Sequence, residues 1–483
     1  MLTLILLLIP ILSGAWLLST KESASASLSK NIALASSLVV FIGSVLLYTN
    51  LGDASMTSFQ VNWIESLAIS FHLAVDGISF VLILLTSLLT PLIILSTSKS
   101  NYTNPQRLVG LILLAEAALI GVFAAQDLFL FYFFFEAALI PVYFIAAAWG
   151  GENANRVTFK MFVYTIFGSL FMLVAIVYLF VVGKSSDMTT LVTFAQNLSS
   201  TEQGFLFSAF MIAFAIKMPL FPLHTWQPDA YTESPTPATM LLSGLLSKMG
   251  VYGLIRIAVP FFPAAVDQFG FSWMILSIAG LVYGSIIAVQ QDNMKRLIAY
   301  SSFAHMGLMA AGVLTGTQEG LQGAIFQMFA HGVNAIGLFF VIQVIFERTG
   351  TYSLSALGGI TQKTPALSIY FMIILLGSVA LPLTNGFVGE FVLLKSVFDS
   401  HYWLGGIAGL TIIFGAVYML RLMQKSMFGA LSPQTENFND VAGTETFVLF
   451  PIAFLVILTG VIPNLLLQLS EPAVIQIVAG IIK

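Results

Sequence analysis

Cysteine is absent from this chain, and charged residues are scarce. With no Cys among 483 residues, the sequence excludes disulfides, thiolate-held iron–sulfur clusters and Cys-ligated zinc. Charged residues make up 8% of the chain, whereas a soluble protein carries about 25%. This shortage excludes an ordinary cytosolic enzyme, a disordered protein and a nucleic-acid binder with a basic face. The net charge of −4 is too small to indicate an acidic or basic partner.

Long apolar stretches dominate what is present. Hydrophobic side chains make up 58% of the sequence and the mean hydropathy is +0.96, which indicates a bilayer protein. Because a spanning helix needs roughly 20 apolar residues, the chain has room for about fourteen spans. The predicted spans are 2–19, 32–49, 77–97, 107–125, 127–148, 160–182, 204–222, 236–258, 271–290, 296–315, 321–346, 366–397, 403–424 and 446–467. The first stretch lacks the basic start and the cleavage site of a removable leader, and the amphipathic piece 471–483 is predicted to lie at the membrane interface.

Basic residues are distributed unevenly between the two sets of predicted loops. One set holds twelve of them, and the other holds Lys184, Arg256 and the terminal Lys483. The twelve are Lys21, Lys30, Lys99, Arg107, Arg156, Lys160, Lys295, Arg296, Arg348, Lys363, Arg421 and Lys425. The positive-inside rule predicts that the richer side is cytoplasmic. With an even number of spans, both termini are then expected on the outer side.

A few ionisable residues interrupt the apolar stretches. They are Glu116, Glu136, Lys217, Lys248, His305, His331, Glu390 and Lys395. An ionised side chain at mid-bilayer costs about 2.5–3.5 kcal/mol on insertion scales, so these groups must face protein or water. They are therefore the candidates for function.

Two predicted spans are broken near such residues. The seventh opens after Lys217, where three prolines follow, and the twelfth is interrupted before Glu390. The interrupting residues are Pro219, Pro222 and Pro228 in the seventh span, and Pro382, Asn385, Gly386 and Gly389 in the twelfth. Paired interruptions indicate two inverted repeats with an ion path between them. We therefore divide the chain into 1–105 (helices 1–3), 106–258 (helices 4–8), 271–428 (helices 9–13) and 446–483 (helix 14 and the tail).

The buried charges are spaced as a proton relay requires. Glu136 is predicted to pair with Lys217, and separating the pair would favour release of the lysine's proton. Beyond this pair, the predicted order is Lys248, then His305 and His331, which titrate near neutral pH, then Glu390.

Structural roles for the same residues remain open at this stage. The charges could form pairs that only fix helix packing, and each histidine could simply donate to a main-chain carbonyl. His305 and His331 could instead ligate a b-type haem. Glu116 could support the region of Glu136, while Lys395 could extend outward from the end of its span. Asp76 and Asp127 stand at span ends, where a capping role is expected.

Five segments carry a resemblance to a known family. They are F-F-F-E-A-A-L-I-P-V-Y-F (Phe133 to Phe144), A-I-K-M-P-L-F-P-L-H-T-W-Q-P-D-A-Y-T-E-S-P-T (Ala215 to Thr236) with L-L-S-G-L-L-S-K-M-G-V-Y-G (Leu241 to Gly253), D-N-M-K-R-L-I-A-Y-S-S-F-A-H-M-G (Asp292 to Gly307) and N-G-F-V-G-E-F (Asn385 to Phe391). They resemble the antiporter-like subunits of respiratory complex I, the NADH:quinone oxidoreductase, over nearly the whole chain. The glutamate at position 390 is similar to the M-type subunits, whereas L and N types typically carry lysine there.

The resemblance implies an all-α polytopic membrane protein that translocates protons without a cofactor of its own. Glu136, Lys217, Lys248, His305, His331 and Glu390 occupy the positions of the family's proton-carrying residues. NADH, FMN, iron–sulfur clusters and quinone would bind in other subunits of the enzyme. The implied partners are the L- and N-type subunits, the rest of complex I and membrane lipid, in a prokaryotic plasma membrane; no nucleic acid is expected.

Three rival functions are compatible with the same residues. One is a subunit of a multisubunit cation/proton antiporter, which is not coupled to redox chemistry. Another is a subunit of a hydrogenase-type or photosynthetic relative with a different electron donor. A third is a structural subunit that anchors a complex without transport.

Overall fold

A computed structural model describes residues 1–20, 25–67, 69–98 and 102–481. Helices dominate these residues, in agreement with the predicted all-α membrane class. In chain order they are α1 (Leu2–Ser19), α2 (Ala26–Tyr48), α3 (Ala54–Thr57), α4 (Gly77–Ser96), α5 (Pro105–Ala124), α6 (Leu128–Ala137), α7 (Leu139–Trp149), α8 (Ala154–Gly183), α9 (Met188–Gln196), α10 (Ser200–Lys217), α11 (Gln227–Glu233), α12 (Thr236–Leu241), α13 (Lys248–Gly253), α14 (Val259–Phe261), α15 (Pro263–Gln290), α16 (Met294–Val313), α17 (Gln318–Thr349), α18 (Pro365–Ser378), α19 (Asn385–Ser400), α20 (Tyr402–Met427), α21 (Thr444–Val461) and α22 (Asn464–Ile481). Short 3₁₀ turns lie at Glu65–Leu67, Leu354–Ala356 and Ile360–Gln362, and π-helical stretches lie at Leu242–Leu246 and Leu254–Ala258.

Within the described ranges, eleven helices are long and apolar enough to cross a membrane. Three of the fourteen predicted spans are not among the eleven. Predicted span 204–222 becomes α10, predicted span 296–315 becomes α16, and predicted span 366–397 is divided between α18 and α19. The count of fourteen and the four-part division of the chain therefore stay predictions.

Two long buried helical segments form the centre of the bundle. The most apolar stretch of Thr236–Phe261 is fully buried and that of Gln318–Thr349 nearly so, whereas only about a third of the residues in the corresponding stretches of α1, α2, α8 and α20 are buried. Such exposed helices suit contact with lipid or with other membrane subunits. The central segments carry Lys248 and His331, so these two predicted residues lie in the most buried part of the bundle.

The predicted sidedness can be followed on the described residues. Arg156, Lys160 and Arg348 lie in loops or at helix ends on one side, which we call the basic end. Lys21, Lys99 and Lys483, which also entered the predicted charge balance, lie outside the described residues. The facing of the termini therefore rests on the sequence.

Both predicted helix breaks are present, and one lies earlier than expected. The helix α10 ends at Lys217 and α11 begins at Gln227, as the prolines predict. In the second break α18 ends at Ser378 and α19 begins at Asn385, so Asn385, Gly386 and Gly389 belong to a helix and do not interrupt it. The reversal is made upstream, where Ala380 and Leu383 adopt positive φ angles of 58° and 73°, which L-residues other than Asn, Asp and His seldom occupy.

Gly386 lies where the second break folds back on itself. A Cβ atom at this position would come within 2.0 Å of the Gly377 carbonyl oxygen. We expect Gly386→Ala to cost at least about 1–3 kcal/mol, the usual range for overpacking, and to lower the unfolding temperature of the purified protein. The matched control is Gly409→Ala on α20, where a Cβ atom meets nothing within 4 Å. Equal unfolding temperatures for the two variants would show that the close approach is not rigid.

The two halves of the chain contain the same small bridge. Leu128 N donates to Ser186 O at 2.9 Å, and Met294 N donates to Tyr352 O at 2.9 Å. The bridges Asp127↔Asp187 and Asn293↔Ser353 each join residues sixty positions apart, since 187 − 127 and 353 − 293 are both 60. Asp127 and Asn293 each cap the helix that follows, which confirms the capping role expected for Asp127.

The offset between these bridges also relates the two helix breaks. Asn293 lies 166 residues after Asp127. The position 166 residues after Lys217 is 383, which lies inside the second break. Gln126 and Met188, next to the first bridge, line a cleft at one end of the bundle, whereas Asn293 and Tyr352 of the second bridge line the cavity at the basic end. The two bridges therefore lie at opposite ends of the bundle and in opposite orientations, while the inverted five-helix repeat stays a prediction.

A short β-hairpin is the exception to the helical class among the described residues. Strand β1 (Ser58–Ile64) pairs with β2 (Ile69–Ala74) in antiparallel register, with a shift between Asn62 and Ile64. His72 of β2 lies 3.6 Å from the Asp187 carboxylate, which caps α9. The sequence analysis assigned no structure between the second and third predicted spans, although S-F-Q-V-N-W and I-S-F-H-L alternate as strands do.

The contact between His72 and Asp187 predicts a pH dependence of stability. The His72 side chain, and the hydroxyl of Thr189, hold the pKa of Asp187 well below its usual range. A depressed carboxyl pKa stabilises the folded protein at pH values above about 3.9, and this stability is lost as the pH falls below that value. We expect Asp187→Asn to lower the unfolding temperature at neutral pH, and this effect to shrink as the pH falls below about 3.9 towards the lower folded-state pKa. An effect that stays constant with pH would exclude this charge-dependent contact.

Candidate functional site

Lys217 ends the first half of the broken seventh span. Its side chain is 4% exposed, and its ammonium lies 4.8 Å from the centroid of the Phe135 ring, a cation–π contact. Trp226 folds back to donate from its indole nitrogen to the Ile216 carbonyl at 3.0 Å, so the open helix end has a partner. A cavity of about 10 Å³, room for one water molecule, separates Lys217 from Ser247.

The sequence predicted that Glu136 pairs with Lys217, but the two side chains are not in contact. Glu136 is half-buried, and among the described residues no hydrogen bond or ion pair within 4 Å joins it to the lysine. The ring of Phe135, one residue earlier, occupies the contact position instead. The structure therefore holds the predicted pair in a separated arrangement, in which the two charges act on each other only at longer range.

Lys248 follows the π-helical stretch Leu242–Leu246. The π-helical stretch adds one residue to a turn, and the Lys248 side chain that follows points into the bundle. π-helical turns of this kind are frequent at functional sites. The amine is fully buried; it donates to Ser243 O at 2.5 Å and lies 2.8 Å from His331 Nδ1. One proton can lie on either nitrogen of the Lys248–His331 pair.

His305 and Glu390 form a second pair beside the first. The Nε2 atom of His305 lies 2.8 Å from Glu390 Oε1, while Nδ1 donates to Ser301 O at 2.8 Å. Since Nδ1–H is committed to the carbonyl, the bond to Glu390 holds one proton, either on the imidazole or on the carboxyl group. Both nitrogens of His305 have these partners, so neither offers a free lone pair to a haem iron.

The two pairs are in contact with each other. The rings of His305 and His331 are tilted by 53° with their centroids 5.5 Å apart. Lys248, His331, His305 and Glu390 are all buried, with at most 7% of any of them exposed. The structure thus brings four of the six predicted residues into one file, which we call the central file.

A cavity of about 10 Å³ lies against the central file. Gln327 Oε1 and Asn334 Oδ1 line it and have no hydrogen-bond partner, although both side chains are at most 4% exposed. Asn334 also donates to Asn385 Oδ1 at 3.0 Å, at the beginning of α19. Buried polar atoms of this kind are normally satisfied, so the cavity is suited to an ordered water molecule.

These lining residues were not singled out from the sequence, although a signal was present. Gln327, His331 and Asn334 are spaced by four and three residues on α17, which places them on one face of the helix. A polar face on an otherwise apolar span could have identified them.

Serine hydroxyls connect Lys217 to the central file. Ser247 lines the Lys217 cavity, and its hydroxyl lies 3.4 Å from the Lys248 amine. Ser243 Oγ lies 3.2 Å from Ser302 Oγ, and Ser302 lines the second cavity. Polar side chains therefore run from one helix break to the other, interrupted only by spaces of the size of a water molecule.

A wide vestibule of about 840 Å³ opens at the basic end and is lined in part by Arg348 and Lys295. Lys295 is 2% exposed, and its amine donates to the Ser234 carbonyl. Further inside, the hydroxyl of the buried Tyr231 faces Ser247. These groups lead from the basic end towards Lys248.

Lys395 lies apart from the site. It pairs with Asp399 at 2.6 Å, one turn later on α19, and half of its side chain is exposed. This position agrees with the expectation that it extends outward from the end of its span.

Comparisons with known proteins agree with this architecture. Residues 125–415 match the family model described as "NADH:quinone oxidoreductase/Mrp antiporter, TM". The chain is 36% identical over 477 residues to the NADH-quinone oxidoreductase subunit M of Rickettsia prowazekii, with 97% of each chain covered. It superposes on a chain of respiratory complex I from Thermus thermophilus with a TM-score of 0.92 and 30% identity, with both chains fully covered.

A third similarity concerns the fold alone. A chain of the Mrp complex from a Dietzia species matches with a TM-score of 0.85 at 20% identity, over all of this chain and 52% of that one. The two relatives described above at 30% identity or more are named as an NADH-quinone oxidoreductase subunit and a chain of respiratory complex I. The chain is a multi-pass membrane protein that belongs to the NADH:quinone oxidoreductase subunit M family.

Proposed function

We propose that this chain translocates protons across the membrane, driven by redox chemistry in other subunits of NADH:quinone oxidoreductase. The observation that carries the proposal is the central file of Lys248, His331, His305 and Glu390, buried in the middle of the bundle. Ionisable groups in contact at membrane depth are costly and are typical of proton relays. Lys217 and Glu136 supply a second pair, which can separate, at the Lys248 end of the central file.

The basic end is assigned to the cytoplasm by the positive-inside rule. The vestibule at Lys295 would then admit protons from the cytoplasm, and Tyr231 and Ser247 would pass them to Lys248. Glu390 would release them towards the outer side. With this assignment both termini lie outside a prokaryotic plasma membrane.

Charge repulsion supplies a mechanism for movement along the central file. Two unit charges 4 Å apart interact by about 4 kcal/mol at an effective dielectric constant of 20. Lys248 and His331 are closer than that, so they are not both protonated at low cost. A proton that arrives on Lys248 therefore favours release of a proton from His331, through water in the cavity that both histidines line, to the His305–Glu390 pair. Closure of the Glu136–Lys217 pair would hold a proton at Lys217, and its separation would release that proton towards Ser247.

The partners follow from the absence of redox chemistry in the relay residues. None of the six relay side chains changes oxidation state, and the chain has no Cys to hold an iron–sulfur cluster. We propose that FMN, iron–sulfur clusters, NADH and quinone bind in other subunits, and that L- and N-type subunits flank this chain. Phe133 on α6, the helix that carries Glu136, and Phe144 on the adjoining α7 are exposed, which suits such a flank.

A native purification tests this function. The chain is tagged, extracted in mild detergent, and assayed for NADH:quinone reductase activity that complex I inhibitors block. We expect that activity in a large assembly. A smaller assembly without NADH oxidation would contradict the proposal and favour a cation/proton antiporter or a hydrogenase-type relative.

A further inference from the structure

Glu116 is a buried carboxyl group that the proposed relay does not use. It lies in the middle of α5 and is fully buried. Neither of its carboxyl oxygens has a hydrogen-bond partner, and no basic side chain lies within 4 Å of it among the residues described. The sequence suggested that Glu116 supports the region of Glu136, but no hydrogen bond joins the two carboxyl groups. Burying a carboxylate without a partner is far more costly than burying the neutral acid.

A threonine hydroxyl that faces Glu116 is suited to accept a hydrogen bond from it. Thr90 of α4 faces the carboxyl group. The Thr90 hydroxyl already donates its hydrogen to Thr86 O at 2.8 Å. Its oxygen can therefore only accept from Glu116, and a carboxyl group donates only when it carries a proton.

Glu116 and Lys248 lie on helices that contact each other, α5 and α13. The helices that carry the two residues run in the same direction: Tyr102 and Thr236, near their starts, line the vestibule, while Ala125 and Pro260, near their ends, line a cleft of about 380 Å³ at the opposite end. The depth of each residue can be counted along these helices.

A hydrogen bond gives the common reference level. Tyr252 Oη donates to Phe123 O at 2.8 Å and joins the two helices. Glu116 lies seven residues before Phe123, and Lys248 lies four before Tyr252, which is about 10 Å and 6 Å along each axis. Both residues therefore lie on the vestibule side of this hydrogen bond along their helices.

We propose that Glu116 is a further proton-binding site of this subunit, which holds a proton at rest and gives it up during turnover. In that step the O–H bond breaks, the electron pair stays on the carboxylate, and the proton passes through water to the neutral amine of Lys248. The release step depends on the proposed relay function, because it needs Lys248 as the acceptor. The resting protonation follows from the surroundings of Glu116 alone.

Infrared difference spectroscopy on the intact, purified complex tests the site directly. Spectra are recorded before and after NADH is added, in wild type and in Glu116→Gln, which keeps the size and neutrality of the acid. We expect a carboxylic-acid C=O band that disappears in wild type on turnover and is missing from the variant. Thr90→Val should shift this band without removing it, because the facing oxygen is lost while the acid remains.

Two further variants make the outcome specific. Glu319→Gln changes an exposed glutamate and should leave the band unchanged. Lys248→Ala removes the acceptor, so the Glu116 band should no longer disappear on turnover. Identical spectra in wild type and Glu116→Gln would overturn the proposal and leave Glu116 as a permanently neutral packing residue. Because the band is read independently of proton pumping, failure of the relay at Lys217 and failure of this site are distinguishable.

Discussion

Replacing Lys217 by Ala should abolish proton translocation while the complex still assembles and oxidises NADH when uncoupled. The amine is the ionisable group at the first helix break, and alanine leaves no proton carrier between Glu136 and Ser247. Positioned acid–base groups contribute about 10²–10⁴-fold to proton transfer, so we expect a loss of at least a hundredfold. The measurement is NADH-driven acidification of inverted membrane vesicles, with a pH-sensitive dye.

The matched control is Lys395→Ala. Lys395 has the same side chain and lies on a broken span, but it is half exposed and pairs with Asp399 outside the site. We expect normal acidification in this variant. Normal acidification in Lys217→Ala would remove Lys217 from the relay, whatever the control shows.

Replacing Glu390 by Gln should stop translocation with little change in assembly. Glutamine has the size of glutamate and can keep a hydrogen bond to His305 Nε2, so the buried contact survives. It cannot take up or release the proton that Glu390 and His305 share, and the file then ends at His305. We again expect a loss of at least about a hundredfold in vesicle acidification, since a required acid–base group is lost.

Two companions sharpen this second result. Glu390→Asp keeps the carboxyl group but shortens its reach, so acidification should be intermediate between wild type and Glu390→Gln. Glu319→Gln, at the exposed start of α17, should acidify normally. If Glu390→Gln pumps as well as wild type, the carboxyl group is a structural partner of His305 and not a proton carrier.

Local chemistry made much of the fold predictable from the sequence. Proline cannot donate in a helix, so Pro219 and Pro222 fixed the break after Lys217 to the residue. Asp127 was predicted to cap a helix and does so. The second break was harder, because positive φ angles at Ala380 and Leu383 create it, and neither residue type signals that conformation.

The site was predictable in its ionisable residues but not in its contacts. An ionisable residue in an apolar stretch is visible in the sequence, and four such positions meet in the central file. Whether Glu136 touches Lys217 depends on the orientation of α6, where the Phe135 ring takes the place. The neutral polar residues Gln327 and Asn334 were hidden because amides are less conspicuous than charges.

The most direct measurement of the central claim is the number of protons moved per NADH oxidised by the purified complex in liposomes, with wild-type chain, Lys248→Ala and Lys363→Ala. Lys248 is the buried start of the central file, whereas Lys363 is an exposed lysine at the basic end. We expect wild type and Lys363→Ala to move the same number of protons per NADH, and Lys248→Ala to move fewer. An unchanged ratio in Lys248→Ala would contradict proton transfer through the central file.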